Sequence, residues 1–243
     1  NRYIYYFLFS SLLFSGNADH LIFNKIATSN EVQMIEIYNP LDSSISLSNY
    51  YLSDQNDYYS WIENGTLDGL TLSNRDFIFK FPNNSIIESQ NSFTITTQSN
   101  AEFLDYYGYE ADISIIDTYF EESVIGNNAE LSGNSEMLIL FYWDGDSPIV
   151  KDVDYFLWGS NNLGISKTTD DNYPYNDTPL EEQIFLDLYG FSDFYQYDSL
   201  YVRVDTDEYN EIQFNGNGIT GHDETSEILD SSWIIGTYEI QFP

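Results

Sequence analysis

Cysteine is absent from this chain of 243 residues. That single absence excludes disulfides, thiolate zinc sites and cysteine nucleophiles, while leaving the compartment open. Histidine is nearly absent as well, with only His20 and His222. Cationic side chains are scarce: Lys and Arg number 7 against 40 Asp and Glu, for a formal charge of −33. The basic residues Lys25, Arg75, Lys80, Lys151, Lys167 and Arg203 are too scattered to form a patch. Phosphate backbones and anionic lipid surfaces would repel such a chain, so nucleic acid is excluded as a partner. The acidity reads as adaptation to a saline medium, where salt screens self-repulsion beyond a Debye length of about 8 Å. After the first residues, no apolar run approaches membrane length. No G-x-S-x-G elbow occurs, and no acidic loop has EF-hand spacing.

What is present is aromatic and β-prone. Hydrophobic residues make up 42% of the chain, including 22 Tyr, 17 Phe and 4 Trp, too many for a disordered acidic tail. Length and composition together allow a large core in one domain. The start, "NRYIYYFLFSSLLFSGNADH", sets Arg2 before an apolar run to Phe14 and then small residues to Ala18. This pattern predicts a signal peptide over 1–18, truncated at its start, with 19–243 as a single exported domain. The expected destination is the medium or the cell surface, with no stable membrane insertion after signal removal.

Alternating apolar and polar positions predict strands at 21–27, 32–40, 43–54, 76–81, 92–97, 199–205, 211–214 and 237–243. A short helix is expected at 99–108, capped by Asn100, with Phe103, Leu104 and Tyr107 on its inner face. Two apolar runs flank "DGDSP" within 137–159, the clearest hairpin signal in the chain. Residues 160–199 are loop-rich, with a helical turn expected at 182–191, and should pack over one end of the domain. About seven short strands without parallel βαβ spacing predict an all-β, immunoglobulin-like β-sandwich with a short helix and long loop insertions.

At "MIEIYNP…ISLSNYYLSD" the chain resembles the lamin tail domain, specifically an exported bacterial subgroup. The residues carrying the likeness are Ile35, Glu36, Ile37, Tyr38, Asn39 and Pro40, then Ser46, Leu47, Ser48, Tyr50, Leu52, Ser53 and Asp54. "ELSGNSEMLILFYWDGD", "VKDVDYFLWG", the late strand holding Arg203, and "GNGITGHDETSE" with Trp233 extend the resemblance to about residue 235. Gln33, where a Glu often stands, and the ending depart from the family pattern. The resemblance implies an immunoglobulin-like fold with a binding or scaffolding role.

Chemistry is sparse. Glu36 reads as a strand carboxylate facing a solvated sheet surface or bonded to a nearby turn, in preference to a catalytic acid. "GHDETSE" reads as a polar turn in which Gly216, Gly218 and Gly221 permit positive φ. Zinc would need more nitrogen ligands than His222 and His20 supply, and His20 lies beside the expected cleavage point. No catalytic residue and no cofactor is expected apart from calcium. Hard cations favour oxygen-rich loops, and the candidates are Asp144, Asp146, Asp205, Asp223 and Glu224. The expected role is non-enzymatic: adhesion, scaffolding or surface display toward a protein or glycan at the cell exterior. The alternatives are a secreted hydrolase and a calcium- or carbohydrate-binding module. Trp61, Trp143, Trp158 and Trp233 would serve the last only if their rings were exposed.

Overall fold

The computed structural model describes residues 16–28, 31–63, 72, 75–118, 124–125, 129–167, 175–186 and 200–236. Residues 1–15, the second half of the expected turn at 182–191 and the expected strand at 237–243 lie outside these. Two sheets stack face to face. One runs Val124–Ile125, Phe77–Lys80, Tyr50–Ser53, Glu136–Tyr142 and Lys151–Trp158 in spatial order, all antiparallel. The other runs Trp233–Gly236, Leu200–Arg203, Ile22–Ala27, Met34–Tyr38, Ser92–Thr96 and Ile113–Ser114. Its last pair is parallel. Two short ribbons join Gly16–Asn17 to Asp207–Glu208 and Ile45–Ser46 to Ile86–Ile87. No helix among the described residues is long and apolar enough to cross a membrane.

Alternation places the core. Ile35 and Ile37 turn inward to meet Phe23, Ile95, Leu52, Phe79, Leu138 and Phe156 from both sheets in one apolar cluster. Met34, on the opposite face of the same strand, joins Ala27, Val32, Phe103 and Ala111 in a second cluster beneath the helix. With no disulfide, aromatic packing ties the layers: Phe156 contacts Trp233 at 4.3 Å and Tyr201 at 5.3 Å between ring centroids. Each fully buried large side chain contributes about 1.5–3 kcal/mol of hydrophobic stabilisation.

Several expectations need correction. The stretch 43–54 is two strands, Ile45–Ser46 in a ribbon and Tyr50–Ser53 in the five-stranded sheet, because the chain turns between them. A small βαβ unit exists after all, with Asn100–Tyr107 crossing between the parallel strands Ser92–Thr96 and Ile113–Ser114. That helix is capped by Ser99, not Asn100: the Ser99 hydroxyl accepts from the Glu102 amide, and Glu102 bonds back to the Ser99 amide. Leu104 is exposed rather than inward. Residues 211–214 form only a bridge, Ile212 to Asp223, whereas Trp233–Gly236 is a strand that weak alternation concealed.

The loop-rich region covers a sheet edge. Leu186 exchanges backbone hydrogen bonds with Leu157 and Gly159, and the Ile219 amide donates to the Asp152 carbonyl. Lys151–Trp158 would otherwise present unpaired amides and carbonyls to solvent, a template for aggregation. The same cover explains why that strand is buried on both faces.

Candidate functional site

The segment that closes this edge also returns to the start of the domain. The ribbon sets Gly16 opposite Glu208, and the Ala18 amide donates to the Thr206 carbonyl. His20 follows at once and is turned inward. Beyond the ribbon, Asn210 takes a positive φ of 59°, and the chain presents Glu211. It then doubles back through "NGNG", and the Asp223 amide donates to the Ile212 carbonyl. Gly216 and Gly218 serve space here, not positive φ. A Cβ on Gly216 would lie 1.9 Å from the His222 carbonyl oxygen, and one on Gly218 would lie 2.4 Å from Glu224 Oε1. Only Gly221 needs the left-handed region, at φ 93°. Asp223 caps the short 3-10 turn Glu224–Ser226, accepting from the Thr225 amide at 3.1 Å.

His20, Glu211, His222 and Glu224 converge as a result, each offering one donor atom within 4.8 Å of the others. Glu208 stands beside them. Nδ1 of His20 lies 3.0 Å from the Leu21 carbonyl oxygen, so it carries the proton and donates there. Nε2 then points at Glu208 Oε1 at 3.1 Å and Glu224 Oε2 at 3.6 Å. Nδ1 of His222 lies 3.0 Å from Glu211 Oε2. These are ion-pair contacts whose alignment falls short of hydrogen bonds. His20 Nε2, His222 Nδ1, Glu208 Oε2, Glu211 Oε2 and Glu224 Oε1 are all buried without a hydrogen-bond partner. Such concentrated dissatisfaction is rare in native interiors.

The electrostatics follow from three carboxylates sharing two imidazoles. Burial opposes charge on His20, but the contact and charge of Glu208, with the Leu21 carbonyl, outweigh it and push its pKa up to about 9. His222 is raised by Glu211 against the pull of burial. Burial, then the charges of Glu211 and Glu208, hold Glu224 well above the carboxylate range. Burial also raises Glu211, and the neighbouring Glu208 adds to it. Glu208 itself is lowered, because its contact with His20 overcomes burial. Protons and a cation would compete for the same lone pairs.

Two other buried charges are fully engaged. Arg203 donates from Nε to the Phe23 carbonyl at 2.9 Å, from NH1 to Glu227 at 2.8 Å and from NH2 to Asp154 at 3.2 Å. It also stacks 5.1 Å from the Trp233 ring centroid. Asp154 accepts in turn from the Phe23 amide, so one cluster clamps the two sheets and the closing segment. Lys167, wholly buried, donates to Asp152 and to the Tyr58 hydroxyl, and lies 3.5 Å from Asp177. Glu36 is buried and contacts Lys25 Nζ at 3.0 Å and Asn24 Nδ2 at 2.5 Å, so the adjacent strand engages it rather than solvent or a turn.

Of the five calcium candidates, the structure brings only Glu224 into the convergent group, the one such group among the described residues. Asp144 is exposed in the hairpin turn and accepts from the amides of Asp146 and Ser147, with Asp146 exposed beside it. Asp205, also exposed, accepts from the Asp207 amide and the Tyr209 hydroxyl. Asp223 is buried against the hydroxyls of Thr178 and Thr225. The reading of "GHDETSE" as an isolated turn is incomplete: His20 and His222 meet with ring centroids 5.9 Å apart. Three tryptophans, Trp61, Trp158 and Trp233, are buried, and Trp143 spends its Nε1 on the Ser147 carbonyl at 2.8 Å.

A model of the Lamin Tail Domain family matches residues 15–156, more than half of the chain. This chain belongs to the Lamin Tail Domain family. The match takes in His20, Glu36 and Asp154 and ends within the strand Lys151–Trp158, so the residues that supply Arg203, Glu211, His222 and Glu224 follow it. Among solved structures, the lamin tail domain chain is similar to a DUF4876 family protein from Bacteroides thetaiotaomicron VPI-5482, at 12% identity and a TM-score of 0.40. The alignment covers 89% of this chain and 71% of that one. No curated protein matches it.

Proposed function

We propose that this lamin tail domain protein is an exported, non-enzymatic module for adhesion, scaffolding or surface display toward a protein or glycan at the cell exterior. One observation carries the reading: the most exposed large apolar side chain among the described residues, Phe214, edges a groove together with Ile212. Phe214 is 69% exposed and Ile212 45%, on the rim of a depression of about 590 Å³ shared with Tyr175, Asn176, Asn215 and Asp223. An exposed ring beside amides and a carboxylate suits a neutral polar ligand such as a glycan better than an anionic one. The charge of −33 sets the same preference at long range.

A glycan array probed with the full chain and with Phe214→Ala tests the reading. Binding that Phe214→Ala abolishes supports it. Protease shaving of intact cells should release peptides of this chain if it is displayed outside. Turnover of ester, glycoside or phosphoester substrates, lost on changing one carboxylate, would establish the hydrolase alternative instead. Calcium at Asp144, Asp146, Asp205, Asp223 or Glu224 is a separate alternative. It is checked by a melting-temperature rise with calcium that matched magnesium does not produce.

A further inference from the structure

We propose that His20, Glu211, His222 and Glu224 bind one divalent transition-metal cation, zinc being the best fit, and that this ion pins the closing segment to the start of the domain.

The donor set is the first argument. Two imidazole nitrogens and two carboxylate oxygens form an N2O2 group that neutralises a 2+ charge, Glu211 and Glu224 supplying the donors that the two histidines lack in sequence. The four donors lie within 4.8 Å of one another. A tetrahedral ion with bonds of about 2.0–2.1 Å spaces its ligands roughly 3.4 Å apart, within reach of small side-chain rotations.

Tautomer is the second argument. His20 commits its Nδ1 proton to the Leu21 carbonyl, leaving the Nε2 lone pair facing carboxylate oxygens at 3.1 and 3.6 Å. A lone pair so placed requires either a second proton or a cation between it and the oxygens. A backbone carbonyl holding the far nitrogen is the arrangement that orients metal-binding histidines generally.

The third argument is the unpartnered atoms. His20 Nε2, His222 Nδ1, Glu211 Oε2 and Glu224 Oε1 each lack a hydrogen-bond partner within this group, and His20, Glu211 and Glu224 are more than nine-tenths buried. Calcium prefers six to eight oxygens and magnesium keeps its water, so neither suits two imidazoles in a closed site. Four protein donors leave no open position, so the ion would be structural rather than catalytic. It would bridge residues some two hundred positions apart, as a disulfide does in other small sandwiches.

The test uses the full chain, stripped with a chelator and then titrated with zinc chloride, and with calcium and magnesium chloride in parallel. Calorimetry should show one zinc per chain, with a melting temperature raised by several degrees that calcium and magnesium do not match. Cobalt substitution should give the intense visible bands of four-coordinate nitrogen and oxygen ligation. His20→Ala and His222→Ala should each weaken zinc at least about 100-fold. Should either fail to give a native near-ultraviolet circular dichroism spectrum, the near-isosteric Glu224→Gln decides, with an expected loss of about 10-fold or more. Asp144→Asn should leave zinc affinity unchanged. No saturable 1:1 zinc binding, an equal response to calcium, weak octahedral cobalt bands, or unchanged affinity in a folded His222→Ala or Glu224→Gln would each overturn the proposal.

Discussion

Two buried, acid-rich clusters lie close in sequence yet differ in what completes them. Around Arg203, two carboxylates share a guanidinium with five donors in a fixed fork, and its three nitrogens each donate to a carbonyl or carboxylate. Around His20, three carboxylates face two imidazoles, each able to give at most two protons, and five buried atoms stay without hydrogen bonds. Burial is the same in both; the stoichiometry of donors is not. The first cluster is a finished clamp. The second is a pocket of lone pairs that a proton or an ion must fill.

Breaking the clamp should have the largest effect. Arg203→Met leaves Asp154 and Glu227 buried without their counterion, and urea unfolding should show a loss of about 3–5 kcal/mol. Arg203→Lys should lose less, because the charge remains while the fork is gone. Crowding the other cluster comes next. Gly216→Ala drives a Cβ into the His222 carbonyl, which is backbone and cannot yield. A loss of about 1–3 kcal/mol is expected, together with weaker zinc binding.

A third acidic group, Glu136, sharpens the contrast through pH. Burial, with the charge of Asp76 behind it, pushes its pKa up to about 8 from 4.5. The folded chain therefore holds a proton between about pH 4.5 and 8 that the unfolded chain releases. This contribution is fully present below 4.5 and lost as pH rises through 8. Wild type should melt several degrees lower at pH 8.5 than at pH 5, and Glu136→Gln should flatten that slope. The smallest effect is expected at Glu224. Burial and the charges of Glu211 and Glu208 already favour its neutral form, so in chelator the near-isosteric, neutral Glu224→Gln should shift stability by less than about 0.5 kcal/mol. Chemical denaturation with and without zinc would separate that near-null result from the variant's loss of the zinc-induced gain.

Local chemistry was enough to reveal much of the sandwich. Short β-prone apolar runs mark Ile22–Ala27, Met34–Tyr38 and Phe77–Lys80, and "DGDSP" marks the long hairpin, because strand and turn preferences act locally whatever the partner strand. The lamin tail resemblance rests on those same segments. Arg203 stood out in sequence only as a family position; its clamp depends on Asp154 and Glu227 arriving from other elements. Ser99 was missed as a cap although Glu102 three residues on completes the capping box.

The two histidines illustrate the limit most sharply. One follows a short ribbon strand near the start, the other precedes a 3-10 turn late in the chain, and neither has a ligand-like spacing to its neighbours. By itself, the sequence determined an acidic, disulfide-free β-sandwich, because hydrophobic alternation and turn chemistry act within a few residues. Only the tertiary structure decided that "NGNG" is a close-approach motif and that His20 meets His222. Strand register and the return of the edge-covering segment set those distances, and both arise from long-range pairing that no local pattern encodes.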